Sequence, residues 1–135
     1  MAYELWVRLV SYLVVDQIIG AFWYSPLLFG NPWIKIVLRD KEPKPSFMPF
    51  FITWMCSLSL GYVLDQWFLS QSQFSACHTA TVLAVLIAAL DAPHVSFQGY
   101  PLTLYIISVG HKVTQIFCCC YLLQYFHGDG SSKLF

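Results

Sequence analysis

The sequence predicts an all-α protein. A single domain over residues 1–135 is expected to form a bundle of four transmembrane helices, with a short amphipathic helix lying in the interface after the first span. Three observations carry this. Hydrophobic residues make up 58% of the chain and charged residues only 10%, against roughly 25% charged in soluble domains. The apolar residues come in long runs, each close to the ~20 residues that cross a bilayer. Aromatic residues gather where a run ends, as amphipathic rings do at headgroup level. Seven basic and seven acidic residues cancel, so there is no bulk charge to attract nucleic acid. Four spans nearly exhaust 135 residues and leave no room for a separate catalytic domain.

The first span is predicted over about residues 5–24. It carries Arg8 near its start, placed to snorkel to the surface, and Asp16 and Gln17 in its interior. Pro26 disfavours helix at Ser25, so the span ends there. The start, Met1-Ala-Tyr-Glu-Leu-Trp, has neither a basic n-region nor transit-peptide character. The first span is therefore expected to act as its own targeting signal. Trp23, Tyr24, Phe29 and Trp33 then form an interface aromatic belt. Asn31-Pro32 resembles an N-cap followed by the first helical residue. It opens an interfacial helix over about residues 32–40, with Trp33, Ile36 and Val37 toward lipid and Lys35, Arg39 and Asp40 toward water. Lys41-Glu-Pro-Lys-Pro45 is a charged, Pro-broken linker.

The second span is predicted over about residues 46–69, with Pro49 tolerated in its first turn. Ser57 and Gly61 form a small-xxx-small pair, and Asp65-Gln66-Trp67 marks the far interface. After a polar turn, the third span runs over about residues 76–97. Ala76, Ala80, Ala84, Ala88 and Ala92 place one small residue every four, a helix-packing stripe. Pro93 should kink its last turns. Gln98-Gly99-Tyr100-Pro101 is a tight turn into a fourth span over about residues 101–126, followed by a polar tail. Lys35, Arg39, Lys41 and Lys44 all lie in the first loop. By the positive-inside rule that loop and the third face the cytoplasm or an organelle matrix. The same four residues could hold an anionic lipid headgroup such as cardiolipin.

Ionisable residues inside a membrane are costly, so each is a candidate for function. Asp16, Asp91, His94, His111 and Lys112 all fall in the half of the bundle nearest the first loop and are expected to form an intramembrane polar cluster. Asp16 and Lys112 are the expected ion pair, with His111 beside them. His111, Thr114, Gln115 and Cys118 make one polar face of the fourth helix. A second pair, Asp65 and His78, lies equally far from the turn between its helices and should lock that hairpin. A structural clasp that fixes helix order accounts for the main cluster. A proton path would need a second polar set in the other half of the membrane, and none is legible.

Metal and catalytic chemistry find little support. Cys118, Cys119 and Cys120 are consecutive, so their side chains fan around the helix and cannot all grip one ion. Five cysteines, mostly in apolar runs, do not form a disulfide framework. Nucleophile-and-base motifs, phosphate loops and His-Glu-x-x-His are absent. No enzyme activity, metal or cofactor is expected, apart from a bound phospholipid.

The stretch Gly20-x-x-Trp23-Tyr24-Ser25-Pro26-Leu27-Leu28-Phe29-Gly30-x-x-Trp33 resembles a signature of the membrane family called domain of unknown function 1761. The segment Phe97-Gln-Gly-Tyr-Pro-Leu-x-Leu-Tyr, continuing to Gly110-His111, is similar to that family's turn between its third and fourth spans. Where a Trp-rich end of the third span would be expected, this chain has Asp91-Ala-Pro-His94. The resemblance implies four predicted spans and membrane residence, and implies no activity.

Two functions fit these features. The first is an accessory, structural subunit of a larger membrane complex, such as a respiratory-chain or ATP synthase assembly of the mitochondrial inner membrane. Its partners would be membrane lipids and other subunits, packed on the aromatic belt, the alanine stripe and the interfacial helix. The second is a small proton-coupled transporter or carrier using Asp16, His111 and Lys112.

Overall fold

A computed structural model describes residues 2–38, 47–70 and 75–128. Those residues form five helices and, among them, no strand: α1 (Ala2–Trp23), α2 (Gly30–Leu38), α3 (Met48–Ser70), α4 (Ala76–Phe97) and α5 (Leu102–Gly128). The all-α expectation holds, with helix ends a few residues from those predicted.

The chain between α1 and α2 turns sharply. Ser25 Oγ donates to the Phe22 carbonyl at 2.7 Å and closes the end of α1. The amides of Phe29 and Gly30 then bond back to the carbonyls of Trp23 and Ser25 at 3.1 and 2.9 Å. This fold-back brings Gly30 so close to the chain that a Cβ would lie 2.3 Å from the Tyr24 carbonyl oxygen. Glycine is therefore required there, and α2 begins at Gly30 instead of the predicted residue 32. Ser75 caps α4, its hydroxyl accepting from the His78 amide at 3.2 Å. Gln124 on α5 accepts from the next free donor, the Ala76 amide, at 2.9 Å. The turn into α5 passes through Gly99 at φ +69°, the left-handed region that glycine enters without a Cβ clash. Pro93 stands inside α4, which continues to Phe97.

Helices α1, α3 and α5 pack against one another, while α4 packs chiefly on α5. The alanine stripe forms the α4–α5 seam. Ala76 and Ala80 are fully buried, Ala84, Ala88 and Ala92 half-buried, and Tyr105 donates its hydroxyl to the Ala88 carbonyl at 2.8 Å. Small residues let the two backbones approach closely, which is the main source of helix association in lipid. The core lies toward the α3–α4 end and comprises Tyr12, Leu64, Phe68, Ala76, Ala80, Ile116, Cys119, Cys120 and Leu123. The opposite face of α1 carries Trp6, Val10, Val14, Ile18 and Phe22, one every four residues, all exposed. A continuous apolar stripe of this kind suits lipid, not water.

Among the described residues, three helical stretches are long and apolar enough to cross a membrane: Tyr3–Trp23, Ala76–Phe97 and Leu102–His127. They mark a membrane protein. Four spans were expected; among the described residues three helices qualify. Helix α3 has the length, at 23 residues. Its apolar character is diluted by Ser57, Ser59, Asp65, Gln66 and Ser70. Two of these, Ser57 and Asp65, are turned onto neighbouring helices.

Candidate functional site

Two polar layers lie within the bundle, ~12 Å apart by the eight-residue rise from Arg8 to Asp16 on α1.

The layer at the outer end is an ionic knot. Asp65 on α3 has no exposed surface. Arg8 of α1 reaches it with both arms, Nε to Oδ1 at 2.6 Å and Nη2 to Oδ2 at 3.1 Å. His127 of α5 joins through Nε2 at 2.9 Å from Oδ1. Planar guanidinium and carboxylate meet in a bidentate pair, the strongest side-chain hydrogen-bonding geometry. One carboxylate thus ties three helices. Asp65 turns to Arg8 and His127, while His78, its expected partner, lines a groove between α3 and α4. That groove has a volume of about 270 Å³ and is lined by Val63, Leu64, Trp67, His78, Thr79 and Val82, among others. Arg8, which the sequence places as a snorkelling residue, and His127, which falls at the start of the predicted tail, are the members that sequence reasoning missed.

The inner layer surrounds a half-open cavity of about 740 Å³. Asp16, Gln17, Gly20 and Tyr24 line it from the first helix and its end, Thr53, Cys56 and Ser57 from α3, and His111, Lys112 and Gln115 from α5. Asp16 is only 4% exposed. Its Oδ2 accepts from Ser57 Oγ at 2.5 Å and from Gln17 Nε2 at 3.3 Å. Its Oδ1 is buried with no hydrogen-bond partner, and so is Nε2 of His111. Buried polar atoms are rarely left unpaired, and the exceptions call for an explanation.

The predicted cluster is only partly assembled. Asp16, His111 and Lys112 do line one cavity. The Asp16–Lys112 ion pair is not formed, because Lys112 Nζ is bonded to Asp91 Oδ2 across the α4–α5 hairpin. His94 stands apart on the exposed side of α4, its Nε2 at 2.9 Å from Gln98 Nε2. The three consecutive cysteines diverge, with Cys118 exposed and Cys119 and Cys120 buried.

The aromatic belt packs beside His111 at one end of this cavity, which Tyr24 lines. Trp23 donates Nε1–H to the Ile107 carbonyl at 3.0 Å and stacks on Phe29 at 4.9 Å between centroids. Tyr24 packs on Trp33 at 5.3 Å and on the His111 ring at 5.1 Å. Its burial pushes the phenol above its ordinary range, so Tyr24 is a neutral O–H group. Gly110 admits Trp23, since a Cβ there would lie 2.9 Å from Cζ2. Gly20 leaves space beside His111 Nε2, which an added Cβ would meet at 3.7 Å. The two sequence stretches that carried the family resemblance therefore meet in space, over His111. On α2, Lys35 of the proposed headgroup site is exposed, while its other members, Arg39, Lys41 and Lys44, lie outside the described residues.

A family model described as "Protein of unknown function (DUF1761)" matches residues 9–124. No curated protein and no solved structure matches the chain.

Proposed function

The chain belongs to this DUF1761 family of proteins of unknown function, and we propose that it is a small intramembrane carrier that binds a polar solute in the α1–α3–α5 cavity and couples it to protons. One observation carries the reading: Asp16 Oδ1 and His111 Nε2, both buried and both without a partner, belong to residues lining the same cavity. A carboxylate and an imidazole are the groups from which intramembrane proton relays are built. The outer knot supplies the second polar layer that a path through the membrane requires. Between the layers along α1 and α5, Tyr12, Cys119 and Leu123 are fully buried. Helix α3 enters as the wall that closes the cavity beside the spans. Its Ser57 and Asp65 are spent on α1 and α5.

Proteoliposomes loaded with a pH-sensitive dye test this. The external probes are benzylammonium, benzamide and benzoate, which share one shape and differ in charge. At least one is expected to drive proton movement that is lost in Asp16→Asn. Equal proton movement in wild type and Asp16→Asn for all three would refute the carrier.

A second reading, an accessory subunit of a larger membrane complex, is favoured by the apolar groove between α3 and α4, wide enough to receive a partner's side chains. Extraction in mild detergent separates the two. A subunit runs within a hetero-oligomer, whereas a carrier runs alone or with copies of itself.

A further inference from the structure

Resting on the carrier reading, we infer that the solute class of the cavity is a small organic cation, bound as an ammonium group on Asp16 Oδ1. The charges that line the cavity decide this. Two lining residues carry formal charge, Asp16 and Lys112. Lys112 is neutralised by Asp91. Asp16 has only neutral donors, Ser57 and Gln17, and both use Oδ2. Oδ1 remains buried and unpartnered. An interior carboxylate is neutralised by a proton or by a cation, because the free charge is expensive in a low-dielectric surrounding. Among the described residues no cationic side chain bonds to Asp16. Arg8 is committed to Asp65 two helical turns away. When ionised, Asp16 therefore leaves an uncompensated negative charge in the cavity wall, where an anion would find no relief.

The remaining lining suits the rest of such a solute. An ammonium has three N–H donors. Asp16 Oδ1 and His111 Nε2, the latter as its neutral acceptor tautomer, each have under 1 Å² of accessible surface, so on binding both turn toward the cavity to take two of these donors, and the side-chain carbonyl of Gln115 is a third acceptor on the same wall. Tyr24 adds an aromatic face, which attracts cations through its quadrupole. Leu60, Ile87 and Ile116 supply an apolar floor for a hydrocarbon group. The volume of about 740 Å³ falls within the range of small-molecule sites.

The test is equilibrium binding of the same three probes to the full chain in detergent, by titration calorimetry. Benzylammonium is expected to bind at least about tenfold more tightly than benzamide and benzoate, and to lose that preference in Asp16→Asn. Ala21→Trp, at an exposed position on the cavity rim, is expected to abolish binding by filling the cavity. It keeps the test decisive should Asp16→Asn fail to fold. If benzoate or benzamide binds as tightly as benzylammonium, the cation assignment falls while the carrier reading stands. If none binds, the cation assignment also falls, and the flux measurement decides the carrier reading separately. Benzylammonium binding that survives both substitutions likewise overturns the assignment.

Discussion

The Arg8–Asp65–His127 knot makes a quantitative demand on stability. Asp65 is fully buried, and the Arg8 side chain is only 14% exposed. Removing one member of such a pair strands the other charge away from water, at a cost of ~3–5 kcal/mol. Replacing both by apolar groups of similar volume strands neither and is commonly close to neutral. Arg8→Met and Asp65→Leu should therefore each lower stability by ~3–5 kcal/mol, a large share of the roughly 5–15 kcal/mol that holds a domain together. The double variant should return most of that loss. Thermal unfolding of the purified chain in detergent reads this as a fall on the order of 10 °C for each single variant, and a much smaller one for the pair. If the two single losses simply add in the double variant, the charges do not depend on each other and the knot is not a unit.

Other substitutions probe the packing that frames the site. Gly61→Ala would set a Cβ 2.5 Å from Cδ1 of Tyr12, whose ring is 1% exposed and cannot swing away. A loss of ~1–3 kcal/mol is expected, measured by detergent unfolding. Ala80→Leu overpacks the fully buried α4–α5 seam and should cost a similar ~1–3 kcal/mol, while Val85→Leu on the exposed face of α4 should be silent in the same assay. Trp23→Phe keeps the ring but removes the donor to the Ile107 carbonyl. It should cost ~0.5–1.5 kcal/mol and shift the tryptophan emission of the remaining protein little.

Helix positions were legible because apolar run length, proline and glycine are local signals. The third span was predicted over residues 76–97, the residues α4 occupies, since Ser75 and Gly99 punctuate both ends by their own chemistry. The side-chain pairings were less legible because they depend on which helix neighbours which. Asp65 and His78 are symmetric about their turn, yet α4 turns its small-residue stripe to α5 and moves away from α3. The same symmetry argument, applied to the turn before Pro101, places Asp91 ten residues before it and Lys112 eleven after. That signal pointed to the pair that forms. Arg8 looked like a snorkelling residue because nothing local shows that Asp65 waits on another helix. The second predicted span, α3, falls short among the described residues because Ser57, Ser59, Asp65, Gln66 and Ser70 lower its average hydropathy, although Ser57 and Asp65 face other helices. The aromatic corner was read as a lipid-facing edge. Its role over His111 depends on Gly110, 87 positions beyond Trp23 in the chain.

The central claim is that the α1–α3–α5 cavity is a water-reached site with negative character. Cys56 lines that cavity and is exposed, while Cys77 and Cys118 are exposed elsewhere. In a variant that keeps Cys56 alone, reaction with cationic and anionic methanethiosulfonate reagents measures access and charge together. Cys56 is predicted to react about tenfold faster with the cationic reagent, and benzylammonium is predicted to slow it. Equal rates with both reagents, or a Cys56 that neither reagent reaches, would contradict the account.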